Sequence, residues 1–269
     1  MNIQNKQIKY HFICIGAGGT GTYFLGPFNR FLSTLDGNRL KSITALTVID
    51  GDEIELKNCS RQLFYKEDIG RSKASVIAEV MNEELHDMGS RLCWNAYSSY
   101  LLDTKMLEEI LSSTNSSDCI YIPVVLGCVD NHSCRLLIEE VFYKTSTCNL
   151  FYFDSANEFE TGECVYSYKL NGQVLSPCRS HYFPDIKENK GKARDELSCE
   201  ELNQVAPQHI ATNMLAGQML LSAACNLIEG SSQFFVSDYQ TLKNAAILTP
   251  GFSMFNGMRH TSEFIPYRK

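Results

Sequence analysis

Residues 10–15 (YHFICI) form a short apolar run of β-forming side chains that passes at once into Gly16-Ala17-Gly18-Gly19-Thr20-Gly21. Behind the glycines, Tyr23, Phe24, Phe28, Phe31, Leu32 and Leu35 recur at helical spacing. Strand, glycine turn and helix in immediate succession constrain the fold more than any other feature of the chain. Glycines at such a turn allow a tight reversal and let phosphate oxygens reach the amides at the helix start. The turn alone does not choose among nicotinamide enzymes, flavoproteins and nucleotide-activating enzymes. Pro27, about two turns into the helix, predicts a kink or a late helix start.

The same alternation continues. Residues 42–50 (SITALTVID) read as a strand ending in an acid, and 54–71 as a long polar loop of the kind that often carries function. Apolar residues at 76, 77, 80, 81 and 85 predict an amphipathic helix over 73–85. A strand at 91–97 and a helix at 104–111 follow. Residues 119–129 (CIYIPVVLGCV) are continuously apolar, as suits a strand covered on both faces of a parallel sheet, and lead into Asp130-Asn131 and a helix over 133–143. Residues 150–153 with Asp154 repeat the motif of a strand ending in a carboxylate. Repeated βα units predict an α/β, Rossmann-like, doubly wound and mostly parallel sheet with ligands at the C-terminal strand ends.

Beyond Gly162 the pattern changes: a strand at 163–170, a polar stretch over 176–201 that reads as exposed and mobile, a long apolar helix over 209–228, and late antiparallel strands at 234–236 and 245–248. With no repeat and no linker, the expectation is one domain over 1–269, divided into a nucleotide-binding half (9–160) and a C-terminal half (161–269) with a crossover loop at 176–201.

Composition narrows the setting. In 269 residues, 24 Lys+Arg face 31 Asp+Glu, a formal charge of −7, which argues against nucleic acid or an anionic membrane as the main partner. A chain of this length buries about three quarters of its unfolded surface, so its core needs no disulfides. Residues 1–10 hold no signal-peptide-like apolar stretch, and no run approaches the roughly 18 apolar residues of a membrane span. A cytoplasmic location is therefore expected, with the eleven cysteines reduced.

Function comes from a constellation. Asp50-Gly51-Asp52-Glu53-Ile54-Glu55-Leu56-Lys57-Asn58-Cys59-Ser60-Arg61-Gln62 follows the second strand, Gly70-Arg71-Ser72-Lys73 opens the next helix, and Asp130-Asn131-x-x-x-Arg135 follows a later strand. With the glycine turn before it, this order over about residues 9–170 strongly resembles the ThiF/MoeB/ubiquitin-activating superfamily. The resemblance implies ATP-dependent adenylation of a carboxylate, usually the C-terminal glycine of a ubiquitin-like protein or peptide, by a homodimer using ATP and Mg²⁺. It implies nucleotide contacts by Gly16, Gly18, Gly19, Gly21, Asp50, Asp52, Asn58, Arg61, Gln62, Lys73, Asp130 and Asn131. Among these, Arg61 and Lys73 fall to the phosphates, Asp50 to the ribose and Asp130 to the magnesium ion. The residue types suit the chemistry, because two anions must meet and the attacked phosphate gains charge in the transition state.

Two departures matter. No arginine precedes the glycine turn, where several relatives supply one from a partner subunit; only Lys6 and Lys9 stand there. ThiF and MoeB carry two C-x-x-C pairs that bind zinc, whereas none of the eleven cysteines here forms a C-x-x-C, so no zinc is expected and the resemblance points to small zinc-free bacterial proteins such as those of PRTRC systems. Cys178 and Cys199 flank the crossover loop. Cys199, near a helix start, is the expected nucleophile if the acyl group passes from adenylate to thioester, and Cys178 reads as an inert thiol. The competing expectations are a nicotinamide-dependent oxidoreductase, which leaves Arg61, Gln62, Lys73 and Asp130 unexplained, and a non-catalytic nucleotide-binding partner subunit.

Overall fold

The structure is a computed structural model that describes residues 7–112, 119–188, 208–233 and 249–268. The elements in chain order are β1 (Gln7–Ile15), α1 (Gly19–Thr34), α2 (Gly37–Leu40), β2 (Ile43–Ile49), α3 (Lys73–Asp87), β3 (Trp94–Tyr97), α4 (Thr104–Ser112), β4 (Cys119–Gly127) and α5 (His132–Lys144). They continue as β5 (Leu150–Asn157), β6 (Thr161–Leu170), β7 (Gln173–Ser176), α6 (Arg179–Tyr182), α7 (Ile210–Gln233), β8 (Gly251–Asn256) and β9 (Thr261–Pro266).

Among the described residues the strands form one nine-stranded sheet in the order β3-β2-β1-β4-β5-β6-β8-β9, with β7 on β6. The pairs from β3 through β5 are parallel. From β5 onward the pairs are antiparallel, so the expected α/β sheet with antiparallel late strands is the observed one. Alternation along each strand divides the side chains between two apolar layers. Tyr10, Phe12 and Cys14 of β1, Val124 of β4 and Phe151 of β5 join α1, α3 and α7 on one face. Ile13 and Ile15, Val125 and Tyr152 join α4 and α5 on the other. Continuous apolarity in the sequence of β4 reflects this double cover.

Several expectations are corrected. Helix α1 starts at Gly19 and runs through Pro27, which excludes a late start. β5 does not end at a carboxylate: it runs on to Asn157 because residues 150–157 pair with β6, and Asp154 is fully buried within it. The segment from 176 is not exposed at its start. Ser176, Cys178, Arg179 and Ser180 are buried, since Arg179 donates from Nε to Asp154 and from Nη1 to Glu163 (3.2 Å). A polar stretch is held inside by ion pairs formed across the sheet. Residues 189–201 of the expected crossover loop, with Cys199, and the strands expected at 234–236 and 245–248 lie outside the described residues. β8 and β9 are the late strands that the structure places.

Candidate active site

β1 pairs with β2 on one side and with β4 on the other, so the chain reverses its direction of winding between β1 and β4. Open α/β sheets bind ligands outside the strand ends at that reversal. There a cleft of about 680 Å³ opens, within the roughly 300–1,000 Å³ of small-ligand sites.

The glycine turn is its floor. Gly16 sits at φ +96°, and a side chain there would place Cβ 2.6 Å from the Cys128 carbonyl oxygen. Gly16 N donates to Ile49 O (2.8 Å) and Cys128 N to Ile15 O (2.8 Å), which ties the turn to both neighbouring strand tips. Gly18 precedes α1 without a side-chain cap, and no acidic residue occupies the first turn. The helix therefore presents its first amides and the positive end of its dipole to the cleft. Gly21 packs behind the turn, where a Cβ would overlap the Gly16 carbonyl; it is the one expected nucleotide residue that does not line the cleft.

Asp50 follows β2. Its carboxylate accepts from Ala17 N (2.6 Å) and Asp52 N (2.8 Å), holding the glycine turn against the next loop. Burial pushes the Asp50 carboxyl up from its usual range, and the Lys73 charge opposes that rise. The loop that follows is stitched to itself by Ile54 N to Arg71 O (2.9 Å), Gly70 N to Ile54 O (2.8 Å) and Lys73 N to Asp52 O (3.0 Å). Asn58 Oδ1 accepts from Glu55 N (2.8 Å), while Asn58 O accepts from the amides of Arg61 and Gln62. Closing this loop brings Asn58, Arg61, Gln62 and Lys73 to one wall, although the last two stand eleven positions apart in sequence.

On that wall Lys73 Nζ reaches Asp52 Oδ2 at 2.8 Å, and Tyr100 donates from its hydroxyl to Asp52 Oδ1 at 2.6 Å. Lys73 is a nearly buried cation, 4% exposed. Gln62 Oε1 is buried with no hydrogen-bond partner, and Gln62 Nε2 is the nearest group to a Cβ at Gly18. A buried acceptor without a partner, on a wall beside the uncapped start of α1, suits a ligand group that donates. The opposite wall follows β4: Asp130 is exposed on the cleft, while Asn131 caps α5 by accepting from Cys134 N (2.8 Å). Arg135 points away, into the buried pair with Asp154 (3.1 Å) and onto Val129 O.

Among the described residues no group of three or more His, Cys, Asp or Glu could hold a metal ion by itself. Asp130 does fit a magnesium ion delivered with phosphates, since Mg²⁺ keeps several waters and takes only one or two carboxylates in such sites. Cys178 is fully buried, and burial pushes its thiol well above the usual range. Tyr100, Thr20, Asn157 and Gln208 also line the cleft without any signal in the sequence, because they are brought there from four separate segments.

Across residues 2–256 the sequence matches the ThiF family. The chain belongs to that family. This ThiF-family protein is 41% identical over 76 residues to human ubiquitin-like modifier-activating enzyme 7, a match covering 28% of this chain and 7% of that protein. It is 29% identical over 141 residues to the adenylyltransferase and sulfurtransferase MOCS3 of Caenorhabditis briggsae, covering 52% of this chain and 28% of that protein. The matches therefore span less than a third of either relative. Among solved structures, PaaA superposes with a TM-score of 0.58 at 12% identity, over 95% of this chain and 72% of its own. Escherichia coli MccB superposes at 0.58 and 16% identity over 98% of this chain and 64% of its own, and its structure with ATP at 0.56 and 16% over 98% and 65%. At these identities the likeness is one of fold.

Proposed function

We propose that this ThiF-family protein is an ATP-dependent adenylyltransferase that activates the C-terminal carboxylate of a ubiquitin-like protein or peptide as an acyl-adenylate and releases pyrophosphate. One observation carries the reading: the uncapped start of α1, the partnerless Gln62 Oε1, Arg61, Lys73 and Asp130 converge on a single cleft.

The residues divide the work. The α1 amides hold phosphate oxygens at the turn; Gln62 Nε2 can donate to one of them, and Gln62 Oε1, an unmet acceptor, is left for a hydroxyl of the ligand. Lys73 carries three donors, of which one goes to Asp52, so two remain for phosphate. Arg61 lines the same wall and makes no ion pair among the described residues, which leaves its planar fork for two phosphate oxygens. Asp50, already oriented by two amides, keeps lone pairs for a ribose hydroxyl. Asp130 would hold Mg²⁺, which would offset the charge that develops on the phosphates. With the nucleotide so fixed, an oxygen of the incoming carboxylate forms a bond to the α-phosphorus while the bond to the bridging oxygen breaks. Pyrophosphate leaves with that electron pair, and no proton moves. The nicotinamide alternative gives Arg61, Gln62, Lys73 and Asp130 no task.

The test is ATP–pyrophosphate exchange with candidate carboxylate partners, paired with calorimetric titration of ATP and NAD. Expected are ATP binding and partner-dependent exchange, which Asp130→Ala abolishes while the melting temperature stays unchanged. Full exchange in that variant would remove Asp130 from the mechanism, and preference for NAD would overturn the whole reading.

A further inference from the structure

The wall that carries Lys73 is braced by a residue from another segment. β3 pairs with β2 up to Ile49 opposite Tyr97, and Asp50 N donates to Tyr97 O (3.1 Å). The chain leaving β3 therefore crosses the residues that leave β2. Ser98 Oγ lies 2.6 Å from Ser72 Oγ and 3.0 Å from Ser75 Oγ at the start of α3, which fixes the crossing. Two residues on, the Tyr100 ring lies against Gly51, where a Cβ would stand 2.5 Å from the ring Cγ and 2.6 Å from Cδ1. Gly51 is not one of the glycines at positive φ. The glycine between Asp50 and Asp52 thus provides room for the ring, not backbone freedom.

This seat aims one hydroxyl. Tyr100 donates to Asp52 Oδ1 at 2.6 Å, in the range of a charge-assisted bond from a hydroxyl to a carboxylate. Asp52 Oδ2 takes the Lys73 ammonium at 2.8 Å. The Asp52 main chain is pinned as well, its N donating to Asp50 Oδ1 (2.8 Å) and its O accepting from Lys73 N (3.0 Å). Both carboxylate oxygens are engaged inside the protein, which gives Asp52 the part of a counter-charge to the nearly buried Lys73. The two oxygens of one carboxylate compete for a neighbouring ammonium. With the Tyr100 hydroxyl on Oδ1, Lys73 meets Oδ2 and keeps its other N–H groups for an anion. Without that hydroxyl, Oδ1 competes for a second N–H and adds repulsion toward the incoming anion.

We infer that Tyr100 is a positioning residue of the phosphate site: through Asp52 it holds the Lys73 ammonium where the triphosphate is taken. The inference rests on the adenylyltransferase reading and adds to it a residue from outside the motif-bearing segments. Its effect passes through Asp52 and Lys73, not through a contact of its own with the reacting phosphorus.

Calorimetric titration of the full chain with ATP compares wild type, Tyr100→Phe, Lys73→Met and the double variant. Tyr100→Phe keeps the ring on Gly51 and tests the hydroxyl alone. Its ATP affinity is expected to fall about 3- to 10-fold, the size of one hydrogen bond. The same substitution in the Lys73→Met background is expected to cost about twofold or less, because residues that act through one another are not additive. Gly51→Ala, whose methyl must displace the ring, is expected to lose at least as much affinity as Tyr100→Phe. A second measurement needs no nucleotide: acetylation with acetic anhydride, read by mass spectrometry at each lysine. Lys73 is expected to label faster in Tyr100→Phe, by about threefold or more, while half-exposed Lys57 on the same wall keeps its rate. Unchanged ATP affinity in Tyr100→Phe, equal losses with and without Lys73, or an unchanged Lys73 labelling rate would each overturn the role. ATP binding without pyrophosphate exchange would sink adenylation and leave the role of Tyr100 standing. A wild type that binds no ATP would sink the adenylyltransferase reading and the phosphate part of the inference together, and the labelling would still decide whether Tyr100 holds Lys73.

Discussion

Asp154 lies in β5 with no exposed surface, and two guanidiniums close on it. Arg135 Nε donates to Oδ1 at 3.1 Å and Arg179 Nε to Oδ2, and both arginines are themselves almost fully buried. Burial pushes the Asp154 carboxyl up, but Arg179 and then Arg135 outweigh it and hold the group below its usual range. Asp154→Asn removes the charge and keeps the shape. Breaking a buried pair costs about 3–5 kcal/mol because the partner charge stays in the interior. Here Arg179 retains Glu163 at 3.2 Å and two main-chain carbonyls, and Arg135 retains Val129 O and Ser155 O. We therefore expect the lower part of that range, about 3 kcal/mol, or a fall in melting temperature of about 6–12 °C for a chain of this size.

The pH dependence has a definite sign. A carboxylate with a depressed folded pKa contributes stability that is present above its unfolded value, near 4, and lost as pH falls through the folded value. The wild type should thus lose stability below about pH 4 more steeply than Asp154→Asn. Urea unfolding at pH 7 and pH 3 reads both effects. A loss below about 1 kcal/mol at pH 7, the size of an exposed ion pair, would refute the view that the triad is dry and mutually dependent.

Two further outcomes are expected. Lys73→Met should weaken ATP about 10- to 100-fold in calorimetric titration, the loss of one charge-assisted contact of about 1.5–3 kcal/mol; unchanged affinity would take Lys73 out of the phosphate site. Cys199→Ala should eliminate any reductant-sensitive conjugate on gels while pyrophosphate exchange persists, and a conjugate that survives the substitution would rule out a thioester at that cysteine.

Much of the parallel half was legible because its determinants are local. Residues 10–21 announce strand and turn by their own order, and residues 50–73 hold their spacing because the loop between them closes on itself. The C-terminal half was not, since its logic is non-local. Arg179 sits in a polar stretch beside Pro177 and Pro184, and only Asp154 and Glu163 on neighbouring strands make its burial favourable. Asp154 imitated a strand tip because what extends β5 to Asn157 is pairing with β6, a strand not yet reached when residue 154 is read. Tyr100 meets Asp52 across 48 residues and Asn213 meets Asn157 across 56, and no local pattern encodes either contact.

The order of strands also sets a schedule for synthesis. β1 is central, yet one of its two partners, β4, begins with Cys119 opposite Gln7, more than a hundred residues later. A nascent chain that has emerged only through α4 carries β1 with one side unpaired, an apolar edge able to pair with other chains. The cleft at the glycine turn also lacks its Asp130 wall at that point. Pairings of such sequence separation are slow to form. If the proposed function holds, ATP would stabilise this protein only after β4 has docked, and a chaperone that shields the β1 edge during that interval would raise the yield of folded protein more than added nucleotide would.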